Sequence, residues 1–318
     1  MSRTHDTIAE IAQVRERRRF GSAIAELPHR LFVLESAFKS HDKGNEELTR
    51  YFPVALVACM EGYFRLAIKE LVDAGEPYLS NAERPASALK LDFTLLRAVH
   101  GKTVTIGDLV GHGVPLSRLE HIDSTMSSLL GRPFIAGLRT VHDRWSVEVR
   151  GESPTPMLVK PDNVFSQVAR TFELRHIICH ELASAHEVGY EEVADCFEGS
   201  VAFLKAADEL VSETLHPNAP LTQTDMNIAA GQSLNQARAA LNEAFNNLKI
   251  RLDEKEIVAI GAAQDRWEEY CNAWAEFDAM QVEGGTMWPL VRAGAEEAMV
   301  RKRTEELLSY RRMEDSAQ

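Results

Sequence analysis

The side chains best suited to chemistry lie in the run Glu173-Leu174-Arg175-His176-Ile177-Ile178-Cys179-His180-Glu181. Residues four apart stack on one flank of a helix, so His176 and His180 share a face. Arg175 falls three residues after Phe172 on the apolar stripe Phe165, Val168, Phe172, which points it towards the inner side. Charge on a buried side is costly unless it is paired or used. The helix opposite offers Glu61, the first charged residue of the otherwise apolar run from Tyr51 to Phe64.

Three chemistries fit these residues. The first is structural, an Arg175–Glu61 ion pair beside two partly exposed histidines. The second is a metal site, because His176 and His180 have the i,i+4 spacing of zinc ligands. Glu181, however, follows the second histidine and does not lie between the two as in HExxH. The third is RNA cleavage without metal or cofactor. A histidine in its ordinary titration range can take the proton of a ribose 2′-OH, and a neighbouring arginine can stabilise charge developing on the phosphate.

The chain that must position these groups has 318 residues, 45% hydrophobic and 26% charged, with a net charge of −13. That composition describes a globular protein and excludes intrinsic disorder. No stretch reaches the roughly 20 apolar residues of a membrane helix. The first twenty residues are charged throughout, unlike a signal peptide, so the expected location is cytoplasmic with no membrane partner. Cys59, Cys179, Cys196 and Cys271 form no CxxC pair, which argues against a zinc ribbon or a disulfide scaffold. Residues 1–160 carry 21 basic and 20 acidic groups, whereas residues 161–220 carry 3 and 11. Nucleic-acid contact would therefore need a local patch, for which Arg15, Arg17, Arg18 and Arg19 are the candidates.

The periodicity is helical almost throughout. Thr7 with Glu10 makes a capping box, and Ile24, Leu27, Leu31, Leu34 and Phe38 form a stripe after it. Tyr51–Phe64 reads as a central buried helix. Seven of the twelve prolines fall between Pro77 and Pro161, an elaborated insertion of short helices with one alternating run, Thr103–Ile106. Long helices follow, one from about Asp162 carrying Phe165 to Leu182, the next carrying Val193 to Leu215. His216-Pro217-Asn218-Ala219-Pro220 breaks the pattern and separates a domain at 1–218 from one at 219–318. In the second domain Leu234 to Leu252 form one stripe, and Ile260, Ala263, Trp267, Tyr270, Trp274 and Phe277 form another, as core aromatics do. After Gly284-Gly285 a charged helix closes the chain. The fold class is all-α, two helical domains in series.

The arginine, polar residue, three further residues and histidine of Arg175–His180, near the start of a long helix, resemble the motif of the HEPN superfamily. Ala58-Cys59-Met60-Glu61-Gly62-Tyr63-Phe64 is similar to an apolar helix with an embedded acid found in that superfamily. The resemblance covers about Tyr51–Thr214. It implies a helical bundle that dimerises around one groove and cleaves RNA without metal, in toxin–antitoxin or phage-defence settings with a protein trigger or antitoxin as partner. Carried over by position, Arg175 and His180 are the motif ends, His176 the variable polar position, and Glu61 a looser match that would hold Arg175.

Met226-Asn227, Leu241-Asn242, Ala263-Gln264 with Trp267 and Tyr270, Gly284-Gly285, Pro289 and Arg303-Thr304-Glu305-Glu306-Leu307 resemble the LprI-type lysozyme inhibitors, in order. Cysteines typical of that family are replaced here by Ala229, Ala275 and Ala295, which suits a reducing compartment. The implied role is a recognition or regulatory module beside a ribonuclease; the rival is a non-catalytic scaffold that binds a protein or cell-wall fragment.

Overall fold

The computed structural model describes residues 11, 13, 14, 16–18, 22–88, 104–181 and 187–310. The chain divides into two compact units, Met1–Asn218 and Ala219–Gln318. No strand occurs among the described residues; the one extended pairing is an isolated bridge between His142 and Pro156.

The first unit is built around α2 (Glu46–Asp73). Asn45 caps its start by accepting from the Leu48 amide at 3.0 Å. By length and composition α2 could cross a membrane, yet 61% of its most apolar window is buried inside the unit. It is the core helix because Leu56, Met60, Phe64, Ile68 and Leu71 bury one face while Cys59, Tyr63 and Leu66 bury the adjoining one. Against it pack α1 (Ala23–Ser40), α7 (Pro161–His180) and α8 (Tyr190–Leu215), and α7 packs on α8. The stripe on α1 runs through Ala23, Leu27, Leu31 and Leu34; Ile24, expected on it, points outward and Phe38 is half-buried.

Between α2 and α7 come α3 (Tyr78–Asn81), α4 (Ile106–Gly113), α5 (Leu119–Leu130) and α6 (Phe134–Leu138). This segment is no decoration. Ile122, Met126, Leu129, Phe134 and Leu138 are wholly buried in the same core as α2, α7 and α8. The alternating run ends in a helix rather than a strand, because Thr105 and Asp108 form a capping box for α4; Thr103 lies outside the described residues. Gly107 and Gly111 let α4 approach α2 closely. A Cβ on them would sit 2.4 Å from the Lys69 carbonyl oxygen and 2.6 Å from that of Arg65.

In the second unit α9 (Gln223–Lys249) and α10 (Glu254–Ala279) both pack on α11 (Trp288–Ser309). Thr222 and Asp253 cap the first two. The expected aromatic stripe forms the core only in part: Ile260 and Trp267 pack against it. Tyr270, Trp274 and Phe277 are about half exposed or more, and the buried positions of α10 are Gln264, Cys271, Ala275 and Ala279. Small side chains allow α11 to come close, and the aromatic line lies roughly 100° around the helix from them.

Candidate functional site

The end of α7 carries the motif. Its apolar stripe of Phe165, Val168, Thr171, Phe172 and Leu174 is spent against α2 and α8, and Thr171 meets Ser200 of α8 at 3.1 Å. One turn later the helix leaves the core. Arg175 is half-buried, and His176, Cys179 and His180 are exposed. The motif therefore sits at the C-terminal end of its helix, not near the start; Leu182 lies outside the described residues.

Nη1 of Arg175 lies 3.3 Å from Nε2 of His180. Guanidinium groups only donate, so a hydrogen bond here uses Nε2 as the acceptor. The His176 and His180 rings stand 5.2 Å apart, centroid to centroid, and His176 Nε2 is 3.8 Å from the Glu181 carboxylate. Among the described residues no group of three metal-ligating side chains occurs. Arg175 and His176 also line an open cleft of about 520 Å³ whose far wall is the start of α5, with Arg118 and Leu119.

The other expected site residues lie elsewhere. Glu61 does not pair with Arg175; it is 3.7 Å from Arg65, one turn along α2. The i,i+4 geometry supplies this nearer cation, whereas Arg175 has turned with the end of α7 towards His180. The work of tying α7 to α8 falls to Arg170, which donates to Glu192 at 2.7 Å and pairs with Glu173 at 2.8 Å. Arg17 is exposed and donates to Gln13. Arg18 is half-buried along a separate cavity with Tyr63 and Leu66, so these two do not form one solvated face. Arg15 and Arg19 lie outside the described residues.

An acidic cluster went unread in the sequence. Asp208 of α8 is pushed up to about 6, chiefly by burial, with Glu209 and Glu70 adding to the shift and the Tyr63 hydroxyl opposing it. Burial and Asp208 drive the Tyr63 phenol well above its ordinary range. Glu70, raised by burial, accepts from the Ala23 amide at 2.6 Å and so holds the start of α1. Arg144, 5% exposed, bridges Glu209 (2.6 Å), Ser212 (3.1 Å) and the His216 carbonyl (3.0 Å). The sequence signal was there, since Asp208 sits on the stripe Val201, Leu204, Val211 at helical spacing.

The second unit has its own buried charge. Glu296, 2% exposed, accepts from Arg238 Nε at 2.6 Å and from Arg292 at 3.1 Å. Arg303 stands over the Trp267 ring at 5.9 Å and donates to Gln264. Outside this network run the exposed rings of Tyr270, Trp274 and Phe277, successive centroids 6.3 and 5.7 Å apart.

Residues 217–307 match the family model of lysozyme inhibitor LprI. This LprI-like domain thus accounts for nearly all the described part of the second unit. All four cysteines of the chain are free, and Cys271, buried under α11, has no disulfide partner. No curated protein and no solved structure matches the chain.

Proposed function

We propose that the first unit is a metal-independent endoribonuclease of the HEPN type, and that the LprI-like domain is its sensing or inhibitory module. The observation that carries the reading is the solvent-facing contact between Arg175 and His180. Nε2 of His180 takes the proton of a ribose 2′-OH, and the oxygen attacks the adjacent phosphorus. Arg175 stabilises the added negative charge, and the 5′ oxygen leaves with a proton, from the stacked His176 or from water. An RNA strand displaces the Arg175–His180 contact as it binds, which frees both groups for these roles. The reading further places the protein in the cytoplasm as a homodimer with two motifs around one groove, restrained by a protein antitoxin or awakened by a trigger in toxin or phage-defence settings.

The test is cleavage of labelled RNA by purified protein in EDTA, wild type beside His180→Ala. General-base catalysis is worth about 10²–10⁴-fold, so the variant is expected to lose at least two orders of magnitude while its circular dichroism is unchanged. Equal cleavage by both proteins would sink the reading. A second reading, a non-catalytic binding protein, is favoured by the match to lysozyme inhibitor LprI and by the exposed Tyr270–Trp274–Phe277 line. Titration with lysozyme, with Trp274→Ala as control, addresses it; binding that the variant abolishes supports it.

A further inference from the structure

The cleft beside Arg175 has a composition that the nuclease reading does not by itself explain. Its volume, about 520 Å³, lies in the range of small-molecule sites, roughly 300–1,000 Å³. One wall is the end of α7, with Phe172, Arg175 and His176. The other is the start of α5, with Ser117, Arg118 and Leu119, contributed by the segment between α2 and α7. Arg118 is exposed, and its guanidinium has no ion pair with any described residue. Among the described residues Arg175 contacts the His180 imidazole and makes no ion pair. Of the two acids that line the cleft, Glu173 pairs with Arg170 at 2.8 Å, a cation it shares with Glu192, and Glu120 makes no ion pair with a described residue.

Two arginines that make no ion pair with a described residue, on the two walls of a cleft that Leu119 and Ala169 also line, suit a ligand with an anionic edge and an apolar body. A nucleotide has that form. Arginine recognises phosphate through its planar fork. We propose that this cleft is a subsite for the RNA nucleotide adjoining the scissile phosphate, with Arg118 as the phosphate-binding residue that the segment between α2 and α7 adds to the site. The inference rests on the nuclease reading of Arg175 and His180. It gives that segment a part in substrate binding beyond its share of the core.

Arg118 precedes α5 without making a side-chain cap, so replacing it leaves the fold intact. The probe is a short 2′-O-methyl oligonucleotide, which lacks the reactive hydroxyl, followed by fluorescence anisotropy across a salt series with the full chain. Arg118→Ala is expected to weaken binding roughly tenfold and to reduce the salt slope by about 1, as loss of one phosphate contact does. With the matching RNA the loss falls mainly on KM, and Arg118→Lys restores part of it. If wild type cleaves RNA and Arg118→Ala shows unchanged affinity and KM, the subsite is overturned and the nuclease reading stands. If the 2′-O-methyl strand binds in an Arg118-dependent way but the RNA is never cut, the nuclease reading falls and the cleft remains a nucleotide site. If no strand binds, both are overturned.

Discussion

Asp208→Asn should stabilise the protein at neutral pH and not in acid. The carboxyl is pushed up to about 6 from 3.8 by burial between α8 and α2, with Glu70 and Glu209 nearby. Below about pH 4 both folded and unfolded chains carry the proton, and the group costs nothing. Between about pH 4 and 6 the unfolded chain releases it while the folded one retains it, so stability falls as pH rises. Above about 6 the penalty is constant. Two pKa units at about 1.36 kcal/mol each set it near 3 kcal/mol. Asparagine cannot ionise at this site, so the gain at pH 7 should be about 1–3 kcal/mol. For a domain of this size that raises Tm by roughly 3–10 °C. Scanning calorimetry of wild type and variant at about pH 4 and pH 7.5 reads the difference directly. A variant that melts lower than wild type at pH 7.5, or a gap that does not change with pH, would refute the burial argument and imply that ionised Asp208 is held by a cation.

Further outcomes follow from packing. Gly107→Ala would press a methyl to 2.4 Å from the Lys69 carbonyl oxygen, an unyielding backbone atom; a loss of about 2–3 kcal/mol is expected in urea unfolding. Gly261→Ala, where an added Cβ meets nothing within 4 Å, should instead gain about 0.5–1 kcal/mol from helix propensity. Glu296→Ala removes the buried acid shared by the partly exposed Arg238 and Arg292, of which Arg292 keeps Glu276, and should cost about 1–3 kcal/mol by the same assay. Trp274→Ser, at an exposed position, should change stability by no more than about 0.5–1 kcal/mol, whereas a core tryptophan would cost several times that.

Most of the helical elements were legible because their signals are local. Spacing marked the helices of both units, and Pro217, Asn218 and Pro220 marked the interruption after Leu215. What failed was the choice of face. Aromatics at helical spacing on α10 read as core, yet the core seam went to Cys271, Ala275 and Ala279. The reason lies on the partner helix: α11 presents a buried Glu296 with its arginines as well as Val300 and Leu307, so the close approach demands small residues opposite. Periodicity reports that a helix has an apolar side and is silent about which neighbour arrives there. The segment from Pro77 to Pro161 looked like an insertion because prolines and short runs weaken local patterns, and only the tertiary contacts of Phe134 and Ile122 reveal a shared core.

The site was half legible for a related reason. Arg175, His176 and His180 belong to one helix, so sequence spacing could assemble them, and the structure does bring them within contact. Glu61 belongs to a different helix, and its partner depended on which way Arg175 turned at the end of α7. There the competition was decided by proximity: Arg65 is one turn from Glu61 on the same helix, whereas Arg175 contacts His180. The acidic cluster and the cleft share this dependence on long-range neighbours. Tyr63 lies near Asp208, and Arg118 and Arg175 line one cleft, only because α2 and α5 pack beside α8 and α7. Charge near the end of α7 is therefore better judged by pairing than by the sum over residues 161–220. Arg170 absorbs Glu173 and Glu192, and what faces the cleft is more cationic than the net of −8 for that stretch, 3 basic less 11 acidic groups, would imply. An anionic strand meets local side chains within a Debye length of about 8 Å at physiological salt, so it is these unpaired arginines it would feel first.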